Sequence, residues 1–356
     1  MFVKAMGRFG AKGPLMPVDT IDWSIVRKIL LIRPNFRMGN LLITTTALPI
    51  LRANFPKAQI DMMVPSSFRS LLANHPDVDQ VHTFTRGVLF NPVRLWRLMR
   101  RVRWEEYDLV IDGTLTGSAA LLTLWSGGWM RIGSGPETRH FAYTTVVPEP
   151  PRRLWRVEAV KHYFASMGLR VPEDAMMRVH LTAAERERAQ AKWQRLGWSE
   201  STWVTGVFIG ARGDKKWPVE RWGEVITEMW KTRAPGEGVI VFHGTEEFDR
   251  MEALEKLMPE EVPVSFSSNV RQFAALVAMC RQFVTCDTGP MHLACAMGVP
   301  VVSLFFRKSW PRFAPQRPED AVVYNPDLPT AAEALAAWRR QREHLGQLAV
   351  GAAGIG

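Results

Sequence analysis

Asp287, Thr288, Gly289 and Pro290 stand in a short polar turn, with Met291 and His292 directly after them. The apolar run before the turn ends in Val284-Thr-Cys286. Small residues at 293–298 read as a helix, and Val299-Pro-Val-Val-Ser-Leu-Phe-Phe306 reads as a second buried strand. Strand, tight turn, helix and strand make the shortest nucleotide-binding unit. Gly289 lets backbone N–H groups approach an anion, and Pro290 suits a first helical turn. The positive end of the helix dipole then favours phosphate, and a diphosphate is the natural guest. Asp287 sits where a carboxylate reaches a ligand hydroxyl.

Other residue clusters carry weaker signals. Asp77-Val-Asp79 spells the motif of metal-dependent transferases, but it precedes a strand rather than following one, so no metal site is expected. Cys280, Cys286 and Cys295 lack metal-ligand spacing with histidines and read as reduced core residues of a cytosolic protein. Arg94, Arg97, Arg100, Arg101 and Arg103 interleave with Leu95, Trp96, Leu98 and Val102 on one helix. That helix reads either as an ordinary sheet-covering helix with a solvated basic face or as a contact for an anionic membrane or phosphorylated glycan.

The elements that must position the opening turn form two series. The first has strands near 28–33, 60–64, 81–84 and 108–112, with helices at 41–54, 68–74 and 92–103. The second has strands near 203–209, 239–242 and 262–266, with helices at 219–231, 246–257 and 270–279, and the turn closes it. Alternating strands and helices argue for parallel sheets covered on both faces. Pro148-Glu-Pro-Pro151 interrupts the pattern, and Thr182-Ala-Ala-Glu185 is a capping box opening a charged helix over 182–196. A last amphipathic helix spans 330–345, and the Gly/Ala-rich tail at 346–356 reads as frayed. The expected organisation is a poorly ordered basic extension over 1–24 and a first domain over 25–175. A second domain over 176–328 follows, then a helix and tail over 329–356. Ligands of such sheets bind beyond the strands' carboxyl ends, and a cleft between two domains is the expected site.

Composition bounds the partners. The chain has 356 residues, 47% hydrophobic and 22% charged, which is ordinary for a globular protein of two domains. No apolar run reaches the ~20 residues needed to span a bilayer, and the N-terminal residues lack the apolar core of a signal peptide. A formal net charge of +10 calls for acidic partners. No nucleic-acid module is visible, so phosphorylated small molecules or anionic lipids are expected instead.

Five blocks together resemble the ADP-heptose:lipopolysaccharide heptosyltransferases of glycosyltransferase family 9. They are Ile29-Leu-Leu-Ile-Arg-Pro34 with Met38-Gly-Asn-Leu-Leu-Ile-Thr-Thr-Thr-Ala-Leu-Pro49, then Leu51-Arg-Ala-Asn-Phe-Pro-Lys-Ala-Gln-Ile60. Gly210-Ala-Arg-Gly-Asp-Lys-Lys-Trp-Pro-Val-Glu-Arg-Trp222, His243-Gly-Thr-Glu-Glu247 and the stretch from Cys286 to Phe305 complete the set. The resemblance runs from about residue 28 to about residue 325. It implies the α/β GT-B fold, two Rossmann-like doubly wound domains facing a central cleft, with 25–175 binding the acceptor and 176–328 the nucleotide sugar. It also implies inverting transfer without a metal or other cofactor, from an ADP-sugar such as ADP-heptose. The acceptor would be the lipopolysaccharide core or a similar anionic glycolipid. Such an enzyme is cytoplasmic, peripheral at the inner face of the cytoplasmic membrane.

The resemblance also assigns roles. Asp287, Thr288, Gly289, Pro290, Met291 and His292 would form the donor loop, with N–H groups after Gly289 holding the diphosphate as it leaves. Asp287 would orient sugar hydroxyls, and His292 would touch phosphate or merely pack. Lys215 would pair with a donor phosphate while Lys216 faces solvent. Glu247, and less certainly Glu246, would bind ribose hydroxyls. Trp217 and Trp222 would pack the following helix on the sheet. Arg37 and Gly39 fall in the acceptor loop. The residue after Gly39 is usually the aspartate assigned as general base, but here it is Asn40, and an amide cannot take that proton near neutral pH. Asp112, at a strand end, is a possible substitute, and so is a substrate phosphate. Two rival functions stand beside transfer of heptose. One is transfer from another nucleotide sugar to another envelope glycan, and the other is non-catalytic binding of sugar nucleotides or glycans.

Overall fold

The computed structural model describes residues 14–353, with side chains as far as 348. The chain divides into two compact units, one ending at His180 and the other beginning at Leu181. Among the described residues, each unit holds one six-stranded sheet in which the paired strands are parallel.

The first sheet contains β1 (Lys28–Ile32), β2 (Gln59–Pro65), β3 (Gln80–Phe84), β4 (Leu109–Asp112), β5 (Met130–Gly133) and β6 (Thr145–Val146). Its spatial order is β3-β2-β1-β4-β5-β6. The second contains β7 (Val204–Phe208), β8 (Gly238–His243), β9 (Val264–Phe266), β10 (Gln282–Cys286), β11 (Val301–Phe305) and β12 (Ala321–Tyr324). Its order, β12-β11-β10-β7-β8-β9, is the same winding repeated. In both sheets the order reverses beside the first strand of the unit, between β1 and β4 and between β7 and β10. Ligands of doubly wound sheets bind at that reversal. The central strands read as unbroken apolar runs because both faces are covered: Ile29 to Ile32 and Val301 to Phe305 are all buried.

Several expectations shift. The single helix expected over 41–54 is two, Met38–Thr44 and Ala47–Asn54. Three consecutive threonines and a proline explain the break. The hydroxyls of Thr44 and Thr45 donate back to Asn40 O (2.9 Å) and Leu42 O (2.6 Å), and Pro49 has no N–H for the Thr45 carbonyl. The segment 68–74 falls mostly in a 3-10 stretch, Ser66–Leu72. β5, β6 and β12 are short strands that lie within segments lacking a long apolar run. Of the expected basic extension, residues 1–13 lie outside the described residues. Beyond them stand two 3-10 turns, Val18–Thr20 and Trp23–Ile25, and Met16 N–H donates to Thr144 O at 2.8 Å.

The last helix runs Ala331–Ala353, so residues 346–353 continue the helix rather than fray, and 354–356 lie outside the described residues. A second capping box starts it. Thr330 N–H donates to Glu333 Oε2 (2.7 Å), and Glu333 N–H to Thr330 Oγ1 (3.1 Å). This helix belongs to the second sheet. Trp338 Nε1 donates to Thr205 Oγ1 on β7 at 3.1 Å, and Gln282 Nε2 on β10 donates to Gln341 Oε1 at 2.6 Å. The expected capping box at Thr182 is present and opens the helix Ala183–Arg195. Its Glu185 also binds Arg271 of the helix Val270–Val277 through two contacts, 2.5 and 2.6 Å. Arg271 holds Glu185 well below the usual carboxylate range, at about 2.

Candidate functional site

In the second unit, β7 and β10 pair with Thr285 opposite Phe208. The two chain segments leaving their carboxyl ends therefore start side by side. After β7 comes a loop with a 3-10 turn, Gly213–Lys215, made possible by φ +58° at Gly213. After β10 comes the turn at Asp287 and Thr288, then the helix Gly289–Ala296. The ammonium of Lys215 lies 2.5 Å from Asp287 Oδ2. The pair joins the two loops, with the Asp287 side chain nearly buried and Lys215 about one-third exposed.

Thr288 is the N-cap of that helix. Its Oγ1 accepts from Met291 N–H at 3.3 Å and lies 3.4 Å from Thr285 Oγ1, which donates to Phe208 O at 3.0 Å. This narrows the expectation that N–H groups after Gly289 face an anion. Pro290 has no N–H, and Thr288 occupies that of Met291. The first-turn N–H groups without a partner among the described residues are those of Thr288, Gly289 and His292. The side chain of Met291 is fully buried.

His292 is also buried, at 5% exposure, and its Nδ1 has no partner. Burial lowers its pKa to about 4; Asp287 opposes the shift and Lys215 reinforces it. The ring is neutral at pH 7, so it offers no charge to a phosphate.

Glu247 stands at the carboxyl end of β8, 8% exposed, in the turn Thr245–Glu247. Its Oε2 accepts from Gly244 N–H at 2.9 Å. Its other oxygen leans on Gly210, where a Cβ would stand 2.3 Å away. Gly210 leaves room for the Glu247 carboxylate by having no side chain. Glu246 instead faces solvent in an exposed ion pair with Arg212 at 2.9 Å. Lys216 is exposed. Trp217 and Trp222 are fully buried and stack edge to face at 4.8 Å, packing the helix Val219–Thr232. Asp214 pairs with Arg307, so the β7 loop is also tied to the segment after β11.

In the first unit, Arg37 is the exposed N-cap of Met38–Thr44, while Gly39 is buried and Asn40 half-buried within it. The Asn40 backbone carbonyl accepts from Thr44 Oγ1, and its side-chain amide has no hydrogen bond among the described residues. Asp112 is completely buried with both oxygens engaged. Oδ1 accepts from the N–H groups of Thr114 and Leu115, each at 2.8 Å, and Oδ2 accepts from Tyr143 OH at 2.7 Å. It holds the turn after β4 closed, which removes it as a candidate proton acceptor for a bound hydroxyl.

Arg33, not singled out by sequence reasoning, follows β1 and is 4% exposed. Its Nη1 donates to Gly113 O at 2.8 Å, while its Nε has no partner. Burial and the neighbouring Arg156 push its pKa down to about 10, against the pull of Asp112. Asn35 Oδ1, Thr114 Oγ1 and Ser134 Oγ, just past the ends of β1, β4 and β5, are likewise buried without partners. The signal for Arg33 is an arginine ending an apolar strand at the reversal of the sheet. Among the described residues no cluster of three His, Cys, Asp or Glu side chains could hold a metal ion. The three cysteines are free and buried.

Two doubly wound parallel sheets of matching order are the GT-B fold of glycosyltransferases. The chain belongs to glycosyltransferase family 9 (heptosyltransferase), whose profile matches residues 95–337. It is 25% identical over 316 residues to a lipooligosaccharide heptosyltransferase 2 of Haemophilus ducreyi, covering 83% of this chain and 88% of that one. Among solved structures, a family 9 glycosyltransferase of Veillonella parvula matches with a TM-score of 0.81 at 16% identity, covering 92% of this chain and 99% of that one. The ADP-heptose lipopolysaccharide heptosyltransferase II of E. coli matches with a TM-score of 0.71 at 22% identity, over 90% and 99%. At these identities the two structural matches speak to the fold.

Proposed function

We propose that this glycosyltransferase moves a heptose, or a closely related sugar, from an ADP-sugar to a lipopolysaccharide core or similar anionic envelope glycolipid. It does so with inversion and without a metal, at the inner face of the cytoplasmic membrane. The observation that carries the reading is the Lys215–Asp287 pair beside the unpartnered N–H groups of Thr288 and Gly289. In this reading those two N–H groups and the Lys215 ammonium take the charge that grows on the leaving diphosphate. Asp287 positions the donor sugar and Glu247 the ribose, with Gly210 leaving room for its carboxylate. The buried Arg33 and the unpartnered polar atoms beside it serve the acceptor. The relatives' names, which specify heptosyltransferases of lipooligosaccharide or lipopolysaccharide, supply the sugar and acceptor. Thermal unfolding with ADP-heptose against UDP- and GDP-sugars tests the donor. Stabilisation by the ADP-sugar alone is expected, and no shift with any of them overturns the reading. Release of ADP with a defined core acceptor tests transfer.

Asn40 favours a second reading: a protein that binds sugar nucleotide or glycan without transferring, or that uses another nucleotide sugar and acceptor. Donor binding without ADP release on any core acceptor would select it.

A further inference from the structure

The helix Pro92–Trp104 has apolar residues on both its sides. Met99 and Val102 are buried against the first sheet, with Leu95 and Leu98 packed beside them. That face satisfies the helix as a sheet cover. The opposite face nevertheless exposes Val93 (55%), Trp96 (58%) and Trp104 (86%), and the preceding turn exposes Phe90 (81%). Trp129 is half-exposed on the neighbouring loop, where the Arg103 side chain lies against Gly127. Exposed aromatic surface of this extent needs a cover, whereas isolated exposed apolar residues do not.

Arginines frame those aromatics. Arg94, Arg97, Arg100, Arg101 and Arg103 are all exposed, and none has a carboxylate partner among the described residues. Arg100 lies over the Trp96 ring, 5.3 Å from its centroid. No Asp or Glu occurs between Asp79 and Glu105. An ordinary solvated face would mix signs and leave aromatics inside. Amphipathic rings at headgroup level with interleaved arginines match a bilayer interface. An anionic surface adds about fivefold in affinity for each basic side chain near it.

We infer that the outer face of the helix Pro92–Trp104, with Phe90 and Trp129, docks the protein onto an anionic lipid bilayer. Trp96 and Trp104 enter the headgroup layer, and the arginines meet lipid phosphates. This deepens the proposed function, in which the acceptor is a membrane glycolipid, by naming the surface that reaches it. Its test uses neither donor nor acceptor, so its failure leaves the sugar reading standing, and failure of the sugar reading leaves this one intact.

The full chain is sedimented with phosphatidylcholine vesicles and with vesicles holding about 30% phosphatidylglycerol. Quenching of tryptophan emission by brominated lipid reports insertion. Tighter binding to the anionic vesicles by about tenfold or more is expected, weakening at high salt. The variant Arg94→Gln/Arg97→Gln/Arg101→Gln should lose about a hundredfold, and Trp96→Ser/Trp104→Ser should lose binding and most quenching, both with unchanged unfolding midpoints. Absence of binding overturns the inference. So does equal binding by both variants, or a preference for RNA or an acidic polypeptide over the vesicles.

Discussion

Lys215 and Asp287 satisfy each other across two loops, nitrogen to oxygen 2.5 Å apart. A cation held this way is already aimed, and under the proposed function the donor meets a preset charge rather than a mobile chain. Losing either partner unsettles the other. Lys215→Met and Asp287→Asn are each expected to lower turnover by about 10²–10³. The double variant should fall little below the worse single one, because the two act as a unit. ADP release at saturating donor checks this, and multiplicative losses would show that they work apart.

Asn40 offers no proton acceptor at pH 7. Asn40→Asp is expected to raise turnover about tenfold or more, within the usual range of general-base contributions. The pH–rate profile should gain an acidic limb at the same time. An unchanged rate with an unchanged profile would mean that the proton goes elsewhere, with a substrate phosphate as the leading recipient.

Gly210→Ala places a methyl group where Glu247 Oε1 now rests, 2.3 Å away, with the Phe208 ring 2.6 Å off. The carboxylate must swing out. Nucleotide affinity by calorimetry is expected to fall about tenfold, with a stability loss of about 1–3 kcal/mol for the overpacking. A larger loss of affinity than of stability distinguishes a displaced ligand contact from general damage.

Acid stability should fall in two windows. His292 is lowered from 6.5 to about 4, so the unfolded chain binds its proton first, and stability drops as pH falls from 6.5 through 4. Glu185 is lowered from 4.5 to about 2, so its contribution is complete above 4.5 and vanishes as pH falls through 2. Denaturant titrations from pH 7 to pH 2 check both. His292→Gln should flatten the upper window, and Glu185→Gln the lower, the latter by roughly 2–3 kcal/mol at most.

Much of the fold was legible because the central strands are unbroken apolar runs between clear turn residues. β1, β4, β7 and β10 need no context to be read. The short strands β5, β6 and β12 were illegible because they take their shape from neighbours. Gly133, for example, is required by the Tyr143 ring, where a Cβ would stand 2.1 Å away. Thr330-Ala-Ala-Glu333 repeats the spelling of Thr182-Ala-Ala-Glu185 and marks the last helix's start, which the sequence places at 330. At the site, residue types named the loop, but only geometry assigned its donors. Pro290 has no N–H and Thr288 takes that of Met291, which leaves those of Thr288, Gly289 and His292 unpaired among the described residues. Arg33 and Gly210 escaped notice because a buried arginine and an absent side chain carry weak signatures in a single sequence.

The last helix bonds side chains of β7 and β10, the two central strands of the second sheet. During synthesis those strands emerge well before Trp338 and Gln341 do. The first unit can close its core while the ribosome is still working, as domains do in order of emergence. The second must hold Thr205 and Gln282 unmatched until the final helix arrives. Its apolar strands are thus the segment most in need of a chaperone.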